Sequence, residues 1–113
     1  MSISSYRDLK VWQAGVAVTK QVYILTENFP KYETYGLSSQ IQRAAVSIPS
    51  NIAEGWARDS TQEFLRFITI ALGSLAELET QSIVSKELNY IDEETLAKIL
   101  TQTNEIQNPI RFI

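Results

Sequence analysis

Few residues in this chain could do chemistry, and they are of few kinds. Gln40, Arg43, Ser47, Asn51 and Glu54 recur at steps of three and four, which puts them on one side of a helix. Ser74 and Glu77 add polar groups beside Gly73. Paired carboxylates can move protons or hold a metal ion, and Glu54, Glu77 and Glu79 are the nearest approach to such a set. Glu77 and Glu79, however, are two apart and face different ways on a helix. The chain has no histidine and no cysteine. That removes the commonest general base, the imidazole and thiolate metal ligands, the cysteine nucleophile and every disulfide. It also removes the Glu-x-x-His pairs of a carboxylate di-iron bundle. With no nucleophile–base pair, phosphate loop or metal constellation, the expectation is a protein that is not an enzyme and carries no cofactor.

What remains is binding. The Gln40–Glu54 stripe reads most simply as a polar seam, hydrogen-bonded between helices or between subunits because buried polar groups need partners. Such a seam can fix register and oligomer state, with Arg43 and Asn51 as the residues expected to set assembly. The other reading is a surface for a ligand or nucleic acid. Lys10, Lys20, Arg43, Arg58 and Arg66 could contact phosphate, or could be solvated and ion-paired. Trp12 falls on an apolar stripe and reads as core, whereas Trp56 suits a subunit rim or a base-stacking platform. The net charge is −3 and unevenly spread. Residues 1–58 carry six Lys/Arg against four acids, a balance of +2, and residues 59–113 carry four against nine, or −5. A basic footprint for nucleic acid could lie only on the N-terminal half, on Lys10, Arg43 and Arg58, with Arg66 beyond it.

The elements that must position these residues are helices. A chain of 113 residues is one ordinary domain. Its three prolines and four glycines leave long unbroken segments. The first helix is expected over about 6–28, stopped by Phe29-Pro30. It carries two apolar stripes on nearly opposite faces: Leu9, Trp12, Val16, Tyr23, and Val11, Ala14, Val18, Val22, Leu25. A monomer's surface helix needs one face only, so the doubling points to self-association. The second helix is expected over about 36–57, with core residues Leu37, Ile41, Ala44, Ala45, Ile48 and Ile52 and a kink or break at Pro49. The third, over about 61–88, opens on the Ser60–Glu63 capping box. Its apolar stripe covers about half the circumference, wider than the ~100° of an ordinary amphipathic helix, and Gly73 is expected to permit close helix approach. The fourth, over about 93–107, is capped by Asp92, carries the stripe Leu96, Ile99, Leu100, Thr103, Ile106, Ile110, and is expected to end before Pro109. Short connections make successive helices antiparallel neighbours.

The N-terminal MSISSYRDLK has no apolar h-region, so no secretory signal is expected. Phe64 to Leu78 is the most apolar stretch, but Arg66 and Glu77 interrupt it and it falls short of the ~20 residues of a membrane span. No membrane association and a cytoplasmic location are the expectations.

The strings YRDLKVWQ, FPKYETYGLSSQIQRAAVSIPSNIAEG and FLRFITIALGSLAELET resemble the four-helix proteins encoded within 23S rRNA intervening sequences, over residues 6–91. The accessory variability determinant of diversity-generating retroelements is similar at a greater distance. The resemblance implies a homopentamer of up-down-up-down bundles that binds nucleic acid or a nucleic-acid-bound partner. The family motif falls on Arg43, Ser47, Asn51, Glu54, Gly55, Gly73, Ser74 and Glu77, to none of which it attaches a catalytic role. The chain departs from the pattern in charge: Gln42 stands where a basic pair would begin, and Trp56-Ala57-Arg58-Asp59 replaces a more basic run.

The fold class expected is all-α, an antiparallel up-down-up-down four-helix bundle assembled as a homo-oligomer. Two functions follow: a nucleic-acid-associated accessory protein presenting Arg43 and Arg58 to RNA or DNA, or a scaffold that binds protein alone. Basic side chains gathered on one face favour the first; a contiguous apolar surface left open favours the second.

Overall fold

In the computed structural model, residues 4–111 are described; the first three residues of the N-terminal segment and the last two of the chain lie outside them. A 3-10 turn, Tyr6–Asp8, precedes four helices, α1 Lys10–Thr26, α2 Leu37–Ala57, α3 Thr61–Glu87 and α4 Glu93–Arg111, and a second, Lys31–Glu33, lies between α1 and α2. Hydrogen bonds and contacts fix their directions. Thr19 meets Ala45 and Gln42 meets Thr26, so α1 and α2 run antiparallel. Ser47 meets Ser74 and Gln40 meets Gln81, which does the same for α2 and α3. Thr103 meets Glu79 and Lys86 meets Glu93 between α3 and α4. Each helix neighbours two others, with α2 against α3 the most extensive pairing. The result is the up-down-up-down bundle, 43 × 25 × 18 Å, about two helix diameters thick. Its core holds Val18 and Val22 of α1, Ile41, Ile48 and Ile52 of α2, Leu75 and Leu78 of α3, and Ile106 of α4.

Four features depart from the sequence expectation. The first helix does not run from residue 6: the chain turns at Leu9 in an extended conformation, φ −74° and ψ 124°, between the 3-10 turn and α1. It also ends at Thr26 rather than residue 28. Of its two stripes, Val18 and Val22 are fully buried, while Val16 and Tyr23 stay exposed.

Pro49 neither breaks nor ends α2, because α1 receives it. A proline at 49 leaves the Ala45 carbonyl without its amide partner. The Thr19 hydroxyl of α1 shares its one hydrogen between its own Gly15 carbonyl at 2.7 Å and that Ala45 carbonyl at 3.1 Å. Gly15 makes room for the ring; a Cβ there would sit 3.2 Å from Pro49 Cβ and Cδ. Thr19→Val keeps the shape and removes the donor, so it is expected to cost about 1 kcal/mol of stability. Urea denaturation compared with wild type checks this; no change would mean that Ala45 is satisfied otherwise.

Pro109 does not stop α4, which continues to Arg111. A proline in a last turn forfeits little, and Ile110, 2% exposed, extends the buried stripe Ile99–Thr103–Ile106 by one more turn. Finally, Gly73 serves no close approach inside the chain: a Cβ there would meet nothing within 4 Å.

The helix ends match their signals better. Ser60 Oγ accepts from the Glu63 amide at 3.3 Å, but the reciprocal half of the box is replaced by a Glu63–Arg66 approach of 3.7 Å. Leu88 closes α3 in a Schellman turn, with Tyr90 N–H on the Ser85 carbonyl, Asn89 N–H on Lys86, and Asn89 itself at φ 63°. Asp92 caps α4 by accepting from the Thr95 amide at 2.8 Å. Hydrogen bonding from the Thr95 side chain, then its backbone amide, holds the Asp92 carboxyl below the usual 3.8. A lowered carboxyl pKa stabilises above the unfolded value and is lost as pH falls through the folded one. Asp92→Ala is therefore expected to be destabilised at neutral pH and to approach wild type as pH falls below the ordinary carboxylate range. Urea midpoints at neutral and acid pH test this, and a constant difference would show that the cap acts without its charge.

Candidate functional site

The polar stripe of α2 lies along the outer edge of its seam with α3. Three of its members form a relay between the helices. Asn51 donates to the Ser47 carbonyl at 2.7 Å and to Ser47 Oγ at 2.9 Å. Ser47 Oγ lies 2.8 Å from Ser74 Oγ, and Ser74 donates to the Ile70 carbonyl at 3.2 Å. With one hydrogen per hydroxyl, the direction is Asn51 to Ser47 to Ser74 to Ile70. Two turns further along, Gln40 and Gln81 approach at 3.5 Å. Gln81 is 9% exposed, and its side-chain oxygen is buried without a partner.

The remaining stripe residues point elsewhere. Glu54 turns along its own helix to Arg58 at 3.1 Å. Arg43 and Glu77 both line an open groove of about 650 Å³ between α2 and α3, together with Tyr35 and Gln40. Arg43 makes no ion pair among the described residues. Glu79 is on a different side of α3, accepting from Thr103 at 2.6 Å. Among the described residues no group of three or more carboxylates could hold a metal ion.

The four basic residues do not form one group. Lys10 opens α1, Arg58 follows the last turn of α2 and Arg66 lies in the second turn of α3, all at one end of the bundle. Arg43 sits toward the opposite end of α2. Arg58 is engaged twice, by Glu54 and over the Phe67 ring at 5.1 Å from its centroid. Arg66 lies beside Glu63.

α3 offers the larger surface. Its inner side is core, yet Leu65, Ile70, Ile83, Val84 and Leu88 on its outer side are 40–49% exposed. Gly73, Ala76 and Thr80 run between them, also exposed. By length and composition α3 is apolar enough to cross a membrane, with an 18-residue window of mean hydropathy 1.2 that is only 28% buried. A second, smaller apolar group, Val16, Tyr23 and Val46, lies outside the α1–α2 seam and is 42–47% exposed.

One cluster had no sequence signal. Tyr90 donates to Glu33 Oε2 at 2.9 Å and receives Tyr32 OH at 3.1 Å, while Glu33 Oε1 accepts the Leu37 amide at the start of α2. The bond with Tyr32, then burial, then Glu33 push the Tyr90 hydroxyl above the ordinary phenol range. The cluster ties the α1–α2 connection to the α3–α4 connection.

The family model described as 23S rRNA-intervening sequence protein matches residues 7–111. No curated protein matches the chain. The crystal structure of a protein of unknown function from the S23 ribosomal protein family of Bacteroides thetaiotaomicron is similar, with a TM-score of 0.81 at 23% identity, over 90% of this chain and 95% of that one. At that identity the likeness shows the fold.

Proposed function

Since this chain belongs to the 23S rRNA-intervening sequence protein family, we propose that it is a non-catalytic, self-assembling scaffold: a ring of bundles, five in number, on which a protein partner docks. The observation that carries this reading is the outer side of α3, where five large apolar residues are 40% or more exposed. Large apolar side chains left open on one helix face mark an interaction site in a folded protein. The Asn51–Ser47–Ser74 relay beside it would hold α2 and α3 in fixed register, giving the face a constant shape. The number five rests on the family resemblance.

Sedimentation of the purified protein tests the assembly. A mass five times that of the 12.8 kDa chain is expected at micromolar concentration, and a monomer there would overturn the reading.

Nucleic-acid association is the second reading, favoured by Arg43, which is exposed in a polar groove and has no ion pair among the described residues. A ring would repeat that one cation five times and gain avidity without new contacts. It would also repeat the acidic half, which opposes phosphate. Fluorescence anisotropy with structured ribosomal RNA and random duplex DNA, at low and physiological salt, separates the readings. Steeply salt-dependent binding that is lost in Arg43→Glu supports the accessory role. No binding at low salt leaves the scaffold.

A further inference from the structure

We propose that the turn between α2 and α3 is a receptor for the guanidinium of an arginine side chain presented by a protein partner. It is built from Trp56, Phe64 and Asp59 and is separate from the outer face of α3.

The turn holds an open cleft of about 400 Å³, lined by Gly55, Trp56, Asp59, Ser60, Thr61 and Phe64. Trp56 stands in the last turn of α2 and Phe64 in the first turn of α3. Both side chains are half-buried, so each keeps open surface, and Asp59 between them is exposed. Bare backbone at Gly55 lets Phe64 settle against α2: a Cβ there would stand 3.3 Å from Phe64 Cδ1.

Three observations single out a guanidinium. The first is the state of Asp59. Its acidic neighbours are matched, Glu54 by Arg58 at 3.1 Å and Glu63 by Arg66 at 3.7 Å. Asp59 makes no ion pair among the described residues. It also holds a φ of 54°, a left-handed conformation that glycine adopts freely and aspartate at a cost. The turn would form at least as well with glycine, so the carboxylate does nothing for the backbone beneath it.

The second is the match of shape to chemistry. A guanidinium is planar, stacks on aromatic faces and offers parallel N–H donors to both oxygens of a carboxylate. A lysine ammonium lacks that plane and fork. The chain uses the same arrangement beside the cleft, where Arg58 lies 5.1 Å from the centroid of the Phe67 ring and donates to Glu54 at 3.1 Å. Trp56, Phe64 and Asp59 offer an incoming arginine the same two kinds of partner, ring and carboxylate.

The third is that the cleft disfavours an anion. A helix N-terminus attracts negative charge, and α3 begins here. That end is already met by Ser60 Oγ, which accepts from the Glu63 amide, and by Glu63 in the first turn. Asp59 then repels phosphate or carboxylate.

The test titrates the full-length, ¹⁵N-labelled protein with N-acetylarginine amide, N-acetyllysine amide and N-acetylcitrulline amide, whose urea group copies the arginine shape without its charge. The signals to follow are the Trp56 indole N–H and the Asp59 backbone amide. Millimolar arginine amide is expected to shift both saturably, with citrulline and lysine amides about tenfold weaker. Asp59→Gly relieves the backbone and removes the carboxylate, and Asp59→Asn keeps the side-chain shape without its charge. Both are expected to fold as wild type by circular dichroism and to bind arginine amide about tenfold more weakly. No shift with arginine amide, equal binding of citrulline amide, or full binding by Asp59→Gly overturns the receptor. Guanosine also presents paired N–H donors on a flat ring. Tighter binding of guanosine than of arginine amide at the same signals would assign the cleft to a nucleobase and overturn the inference. Each outcome is read within one chain, so a monomeric protein would refute the ring proposed above and leave this cleft untouched.

Discussion

Truncation of Leu78 to alanine is expected to lower the stability of the fold by about 2–5 kcal/mol, the largest effect of any single substitution considered. Leu78 is fully buried at 0% exposure, in the centre of the inner face of α3. Its surroundings cannot collapse easily into the space left behind. The α2–α3 seam is held on one side by the Ser47–Ser74 hydrogen bond and by the close crossing at Gly55. Against a typical total of about 5–15 kcal/mol, such a loss is a large fraction of what holds the chain folded. Urea denaturation measures it, provided protomer concentration is held fixed, because assembly adds concentration-dependent stability. Ile83, 46% exposed on the opposite side of the same helix, gives the contrast. Ile83→Ser should change the stability of the single chain by no more than about 0.5 kcal/mol. Equal losses from the two substitutions would mean that the inner and outer faces of α3 have been confused.

The second large effect is expected from Gly55→Val. A Cβ on residue 55 would stand 2.8 Å from Phe67 Cβ and 3.3 Å from the Phe64 carbonyl oxygen. Neither is the free end of a flexible side chain, so α2 and α3 would have to move apart along their most extensive contact. Overpacking of this kind costs about 1–3 kcal/mol, and valine belongs at the upper end of that range. Gly55→Ala should fall below it. Gly15→Ala should be milder still, since its nearest neighbour is Pro49 at 3.2 Å. A shift in urea midpoint ordered valine, alanine, then Gly15→Ala checks the argument. A neutral Gly55→Val would show that the crossing has slack.

The bundle was legible in the sequence because its signals are local. Pro30 after the first helix, the Ser60 cap and the Asp92 cap each mark a boundary with neighbouring residues alone, and the stripe of α4 repeats cleanly at helical spacing. What failed depends on residues far apart in the chain. A break at Pro49 was open in the sequence because the groups that accommodate the proline, Gly15 and Thr19, belong to another helix. Pro109 looked like a stop because the burial of Ile110 is decided by the whole core. Gly73 was expected at a close helix approach, but α3 is apolar on so much of its circumference that spacing could not say whether the approaching helix belongs to the same chain.

The functional surface was legible to the same degree. The Gln40–Glu54 spacing identified a polar stripe, and Ser47, Asn51 and Ser74 do meet across the α2–α3 seam. Glu54, at the same spacing, turns back to Arg58, since a helical position sets only the direction in which a long side chain begins. Arg43 lies toward the opposite end of the bundle from Arg58 and Arg66, and no pattern along the chain records that separation. Glu33, Tyr32 and Tyr90 gave no sign of association because they sit in two different connections.

That last cluster bears on how the chain reaches its fold. Glu33 and Tyr90 are 57 positions apart, so joining them early would close a long loop for a single hydrogen-bonded contact, at an entropic cost of several kcal/mol. The hairpin of α2 and α3 shortens that separation first, because its turn is only a few residues long and its contacts accumulate outward from there. The tyrosine–carboxylate clasp is then the last part of the seam to shut. An interaction made after the transition state leaves the folding rate unchanged and slows unfolding. Tyr90→Phe is therefore expected to speed unfolding and leave the folding rate unchanged, as stopped-flow urea jumps would check.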